Sequence, residues 1–343
     1  MSNKLFFKVS LGACILALFV IILGAYVRLS DAGLGCPDWP GCYGQITAPD
    51  DAEEISKARL IYPNATIDSS KAWKEMLHRY FASALGLMIL IMAFIAWKHR
   101  KQKTQALYLP LLLVGLVIFQ GLLGMWTVTL LLKPAIVTLH LLAGLLTLSL
   151  LFWLVLTQGK VWKKQTNTIT STSSLTRWAQ ISLVVLVIQI FLGGWTSTNY
   201  AALYCTDFPT CQGQWIPDTD FSEAFSFFRQ TDINYEGGVL SNRAGVTVHF
   251  MHRVGALVTF ILVAGLTISL LIKSDNSRVK KTSVVILLLL VTQVSLGVAN
   301  VLLLLPIPVA VSHNAVAALL LLSMIVLNYL LYSPQNDRIE YST

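Results

Sequence analysis

Five of the chain's six histidines, His78, His140, His249, His252 and His313, lie in or beside long apolar stretches. Imidazole is costly in an apolar helix and commonly marks a functional site there. Four of these histidines form two sets. His78 and His252 are each followed by an arginine, Arg79 and Arg253, and His140 and His313 each lie 20 residues beyond a glutamine, Gln120 and Gln293. Two imidazoles at one depth, from two helices of one bundle, suit axial ligation of a haem iron. Zinc or copper would also accept imidazole, and a single histidine of this kind can serve as an interhelical hydrogen-bonding contact. A structural zinc site takes four ligands, and no further Cys, Asp or Glu lies within the histidine-bearing spans. Haem is the reading that the paired pattern favours.

The two sets differ at one place. Glu75 stands three residues before His78, in EMLHR, whereas His249 stands three residues before His252, in HFMHR. Positions i and i+3 share a helix face, so each residue is expected beside its histidine. A carboxylate at one site and a second imidazole at the other suggest that one haem site does chemistry and the other holds a permanent haem. Glu75 also reads as an acidic residue in a first helical turn, favoured by the helix dipole. Arg79 and Arg253 can pair with haem propionates or snorkel to lipid headgroups. Arg28 is a further candidate for the propionate role, and His99 falls in a basic loop, where it is solvated.

These residues need membrane helices to position them. The chain is 55% hydrophobic and 12% charged, against roughly 25% charged in a soluble domain. Eight stretches meet the length of about 20 apolar residues that spans a bilayer: about 9–28, 76–97, 106–130, 135–157, 178–198, 248–272, 282–304 and 309–332. Helices are expected, since lipid offers the backbone no partners, and no alternation of β-barrel type appears. The first run lacks a small-residue cleavage site and is read as a helix. Lys and Arg cluster at the N-terminus, around Trp97, in the linker and near Lys280, while the opposite loops are acidic. Basic loops stay cytoplasmic, which places both termini inside. The net charge of +8 then reflects topology, and a nucleic-acid partner is excluded because the cations are split among short loops.

The outward loops carry a duplicated element, CPDWPGCYGQ from Cys36 and CTDFPTCQGQ from Cys205. Their compartment favours disulfides, so Cys36–Cys42 and Cys205–Cys211 are expected to close two small loops. Each loop is either a structural clip or, for Cys36–Cys42, an element that shapes haem entry or responds to redox state. Cys14 is an apolar filler. The duplication runs further, matching Gly24-Ala25-Tyr26 to Gly193-Gly194-Trp195, His78-Arg79 to His252-Arg253, and Gln120, Gly124 and His140 to Gln293, Gly297 and His313. The expected organisation is an all-α membrane protein of two pseudo-symmetric four-helix halves. Residues 1–157 form the N-terminal half, 158–177 a polar cytoplasmic linker and 178–343 the C-terminal half. Four is an even number, so the halves share one orientation. Trp39, Trp73, Tyr80, Trp126, Trp195 and Trp215 are expected in an interfacial aromatic belt.

On GAYVRLSDAGLGCPDWPGC, EMLHR, the His140 helix, the second cysteine loop, HFMHR and the His313 helix, the chain resembles the heme A synthase family, of the bacterial type with two extracytoplasmic cysteine pairs. The resemblance implies an oxidoreductase of the bacterial inner membrane that converts a ring methyl group of heme O to the formyl group of heme A. It implies heme b on His252 and His313, and heme O near His78 and His140 with Glu75 at the reacting position. Two successive oxidations would take oxygen from water and end in loss of water from a geminal diol. Glu75 would stabilise positive charge on the carbon or accept a proton, and heme b would relay electrons to an acceptor that the sequence does not identify. Implied partners are heme O, a heme O synthase, terminal oxidase assembly factors and the lipid bilayer, and a homo-oligomer is compatible. The rival is a diheme b-type cytochrome between quinol and a periplasmic partner, which needs no Glu75. A haem transporter is a further class, and a quinone-linked thiol oxidase would want a CxxC that the chain lacks.

Overall fold

The computed structural model describes residues 2–101, 107–158, 173–230 and 233–332. Ten α-helices follow in order: α1 (Ser2–Leu29), α2 (Ala52–Ile61), α3 (Ser69–Lys98), α4 (Tyr108–Thr129), α5 (Pro134–Gln158), α6 (Ser173–Thr198), α7 (Phe221–Ala224), α8 (Asn242–Lys273), α9 (Ser277–Leu302) and α10 (Ile307–Leu331). All except α2 and α7 are long and apolar enough to cross a membrane, eight in total among the described residues. The molecule is a nearly all-helical, multi-pass membrane protein.

The helices α1, α3, α4 and α5 pack as a ring, with α1 on α3, α3 on α4, α4 on α5 and α5 on α1. The same four contacts recur among α6, α8, α9 and α10. The rings meet through α1 on α10, α5 on α6 and α5 on α10. Small and branched side chains fill the shared core, including Ala13, Ala17, Leu148, Leu151, Ala179, Met324 and Leu327. Outward faces leave Leu87, Phe94, Ile118, Ile261 and Leu288 about 60% exposed, as suits side chains whose solvent is hydrocarbon. Cys14 is a buried, unpaired member of the core, in keeping with the filler role.

Several sequence expectations shift. The helix bearing His78 starts at Ser69, capped by the Asp68 carboxylate, which accepts from Lys71 N–H at 3.1 Å. The helix bearing His252 starts at Asn242, capped by Ser241. Both therefore begin about two turns before the apolar run, because the caps and the first turns are polar. His78 and His252 lie well inside their helices, and Glu75 is not in a first turn. The dipole explanation for Glu75 therefore fails. Most of the linker assigned to 158–177 lies outside the described residues, and 173–177 are already helical in α6. Trp195 is no belt residue: it is 1% exposed, and its indole N–H donates to Ala224 O at 2.9 Å.

At one end of the bundle both cysteine pairs form disulfides, with Cα–Cα distances of 4.8 Å for Cys36–Cys42 and 4.7 Å for Cys205–Cys211. The x-Gly-Gln that follows each pair is a two-residue hairpin turn. Cys42 and Gln45 exchange both backbone hydrogen bonds, as do Cys211 and Gln214. The turn residues have positive φ, 53° and 75° at Tyr43 and Gly44 and 53° and 74° at Gln212 and Gly213. That is the requirement of a type I′ turn, and glycine meets it without steric cost. The aspartate two residues after the first cysteine caps the turn. Asp38 accepts from the N–H groups of Tyr43 and Gly44, at 2.6 and 2.8 Å, and Asp207 from those of Gln212 and Gly213, at 2.7 and 3.0 Å.

Candidate functional site

Each ring holds one pair of histidines in matching places. His78 is on α3 and His140 on α5, while His252 is on α8 and His313 on α10. The members of a pair are close enough to interact electrostatically, His140 with His78 and His252 with His313. Glycines on neighbouring helices make room for the rings. A β-carbon at Gly24 would lie 2.8 Å from Cε1 of His78, one at Gly193 would lie 3.0 Å from Cε1 of His252, and one at Gly297 would lie 3.2 Å from Cε1 of His313. The corresponding distance from Gly124 to His140 is an ordinary 3.7 Å.

The donor set fits a haem. All four imidazoles are half-buried, and Nδ1 of His78, His140 and His313 is buried without a hydrogen-bond partner. Leaving such an atom unpaired in apolar surroundings is unfavourable, so these rings are the natural places for a ligand to be met. Among the described residues no group of three or more His, Cys, Asp or Glu is arranged to hold a metal ion. A tetrahedral zinc site has no donor set there, whereas axial ligation of a haem needs only the two imidazoles of a pair.

Glutamines mark a difference between the rings. Gln120 donates to the backbone carbonyl of His140 at 3.1 Å, and Gln293 Nε2 lies 3.2 Å from the His313 ring. On α6, Gln189 Nε2 lies 3.0 Å from His252 Nδ1 and donates to the His252 carbonyl at 3.0 Å. The matching position on α1 is Val20, whose side chain is apolar and which meets His78 only through its backbone. Sequence reasoning passed over Gln189. The signal was present, since Gln189 and Val20 are related by the same 169-residue spacing as the cysteine loops, but a lone glutamine in an apolar run suggests nothing until its neighbour across the helix pair is known.

Glu75 and His249 occupy matching places and have matching partners. The Glu75 carboxylate, 5% exposed, accepts from Cys36 N–H at 2.9 Å and pairs with the Arg79 guanidinium. Arg79 also donates to the loop carbonyls of Asp38, Pro40 and Gly41, at 2.9, 3.2 and 2.5 Å. In the other ring, Cys205 N–H points at His249 Nδ1 at 3.3 Å and Arg253 Nε at His249 Nε2 at 3.3 Å. Arg253 further donates to Thr210 O and Cys205 O, both at 2.7 Å. Both arginines thus fasten a disulfide loop to the helix that carries a histidine. They do not snorkel. Arg28, at the end of α1, donates to Ser197 O on α6 at 2.6 Å.

Outside the spans, Thr210 and the turn amides hold the Asp207 carboxyl down at about 2, chiefly through the Thr210 hydroxyl. Burial raises the Tyr43 phenol, reinforced by the charges of Glu75, Asp68 and Asp38.

Comparison with known proteins agrees with this architecture. The COX15-CtaA family model, described as cytochrome oxidase assembly protein, matches residues 8–325. The heme A synthase of Shewanella oneidensis is 46% identical over 318 residues, covering 93% of this chain and 94% of the relative. The heme A synthase of Wolbachia sp. subsp. Brugia malayi is 30% identical over 318 residues, covering 88% and 89%. That of Halalkalibacterium halodurans is 27% identical over 303 residues, covering 88% of each. With a match that runs through both histidine pairs and both disulfide loops, the chain belongs to the COX15-CtaA family of cytochrome oxidase assembly proteins.

Proposed function

We propose that this protein is a heme A synthase, which oxidises a ring methyl group of heme O to the formyl group of heme A. The observation that carries the assignment of roles is the inequality of two otherwise matching sites. His252 has Gln189 against its ring, and its neighbour one turn away is the imidazole of His249. A polar partner at the ring and at the backbone of the same residue fixes the orientation of an imidazole, which suits a resident heme b on His252 and His313. His78 has a backbone contact from Val20 in place of a side-chain amide and has the Glu75 carboxylate one turn away. A less firmly oriented ligand beside a buried carboxylate suits a substrate that must enter, react and leave, with heme O at His78 and His140.

Conversion of methyl to formyl removes four electrons and four protons and adds one oxygen, which water supplies. The chain's own contribution is binding and electrostatics. His78 and His140 hold the substrate haem between α3 and α5. Glu75 is fixed by Cys36 N–H and Arg79, so its charge is already oriented when positive charge develops on the methyl carbon. It can also take a proton from that carbon or from the attacking water. Arg79 and Arg253 fasten the disulfide loops to the histidine-bearing helices, and their guanidinium groups are the cations that a haem propionate would pair with. A resident heme b supplies one-electron redox chemistry and a route onward to an external acceptor.

On this reading the protein lies in the bacterial inner membrane, and the lysine and arginine distribution supports termini in the cytoplasm and disulfide loops outside. Heme O arrives from a heme O synthase, and heme A leaves toward terminal oxidase assembly. Expression with a source of heme O, followed by chromatography of the extracted haems, tests the reading. Heme A together with heme b supports it, and heme b alone would point to a diheme electron carrier.

A further inference from the structure

Arg28 and Ser197 are separated by 169 residues, the spacing of the duplication, and they touch. Equivalent positions can meet in this way only where the two rings face each other, so Arg28 stands at the junction between them. Its surroundings are unequal. The guanidinium donates to Ser197 O at 2.6 Å and lies 3.9 Å above the ring of Tyr200, itself the counterpart of Asp31. Asp31 is 3.7 Å away, but its side chain is 55% exposed against 15% for Arg28. Water screens the carboxylate, so the buried cation is only partly compensated.

The junction lies beside both histidine pairs. Arg28 is one turn beyond Gly24, which abuts His78, and Ser197 is one turn beyond Gly193, which abuts His252. One turn is about 5.4 Å along a helix. Only one of the two facing positions can carry an arginine without setting cation against cation, and the small Ser197 at the other leaves the space for it.

We propose that Arg28 is a positioning residue whose charge raises the reduction potential of the haem held by His252 and His313. This rests on the reading of the C-terminal half as a heme b site. Reduction adds an electron to the haem, and a nearby cation in a poorly solvated setting favours the reduced form. A higher potential at heme b makes it a better acceptor for electrons leaving the substrate in the N-terminal half.

The test is a redox titration of the purified protein with its native haem, followed by visible absorption. Arg28→Lys should hold the potential near that of the wild type. Arg28→Gln keeps a donor for Ser197 O but loses the charge, and it should disfavour reduction by about tenfold, ~59 mV for a one-electron couple. Asp31→Asn, an exposed change that removes the screened ion pair and spares the Arg28 contacts to Ser197 and Tyr200, should move the potential in the opposite direction. An unchanged potential in both Arg28→Gln and Asp31→Asn would overturn the proposal while leaving the haem assignment standing. Equal losses in Arg28→Lys and Arg28→Gln would also overturn it, since hydrogen-bond geometry rather than charge would then set the potential. A wild-type haem spectrum that survives His252→Ala would overturn the haem assignment itself, and this proposal with it.

Discussion

At position 75 a carboxylate meets two donors, Cys36 N–H and the Arg79 guanidinium, and it has lone pairs for both. At position 249 a neutral imidazole meets the equivalent two donors but can accept at only one ring nitrogen. His249 therefore accepts from either Cys205 N–H or Arg253 Nε–H and not from both. Glu75→Gln tests the charge. The variant should keep heme b and form heme A about 10²-fold more slowly, read as heme A produced per heme b. A near-normal yield would remove Glu75 from the reaction. Gln189→Val makes the second site resemble the first, and heme b retention during purification should weaken by roughly 10- to 100-fold. Asp207 adds a pH dependence. Its folded carboxyl is held at about 2, below its ordinary 3.8, so its stabilisation is complete above about pH 4 and is lost as pH falls through about 2. The protection of the Gln212 and Gly213 amides, measured as exchange relative to the intrinsic rate at each pH, should fall only in that acid window.

Among the elements, helix pairs that bring a glycine against an imidazole give the sharpest expectations. Gly24→Ala should crowd His78, and Gly193→Ala should crowd His252, whereas Gly124→Ala should be tolerated because its β-carbon would lie at ordinary contact distance from His140. Haem content by optical spectroscopy checks this, with heme b lost from Gly193→Ala and kept in the other two. The turns before α5 and α10 show a second repeated feature. Leu131 and Leu132 have φ of 48° and 61°, and Leu304 and Leu305 of 57° and 61°. Leucine is disfavoured in that region by roughly 1–2 kcal/mol per residue, while asparagine tolerates it. Leu304 is 63% exposed, so Leu304→Asn should raise the thermal midpoint in detergent if nothing else at the turn changes. The cysteine loops show how an element can be legible in outline only. Spacing and compartment indicated the disulfides. The type I′ turn and its aspartate cap follow from the same letters, but the arginine that fastens each loop comes from a helix some forty residues away.

For the whole molecule, eight crossings with basic loops inside make a direct topological expectation. Reporters fused after Lys101 or Lys163 should read cytoplasmic, and those after Asp51 or Asp220 periplasmic. Replacing His252 or His313 with alanine should abolish the heme b spectrum, and the same changes at His78 or His140 should leave it while stopping product formation. The apolar runs by themselves determined the class of protein and the number of membrane-spanning helices, because a bilayer requires long helices with every backbone group satisfied internally. The internal duplication by itself determined which residues are equivalent, and so singled out the four histidines and the mismatch between Glu75 and His249. Helix starts were set by the polar caps Asp68 and Ser241, which lie outside any hydrophobic signal. Only the tertiary structure decided what each polar side chain touches. Arg79 and Arg253 turn to loop carbonyls because those acceptors lie within reach in a poorly solvated place, where an unpaired guanidinium would be costly. Gln189 acquires meaning from lying across α6 and α8 from His252, and Arg28 from meeting its own repeat counterpart. Such contacts join residues far apart in the chain, and it is the packing of helices that brings them together.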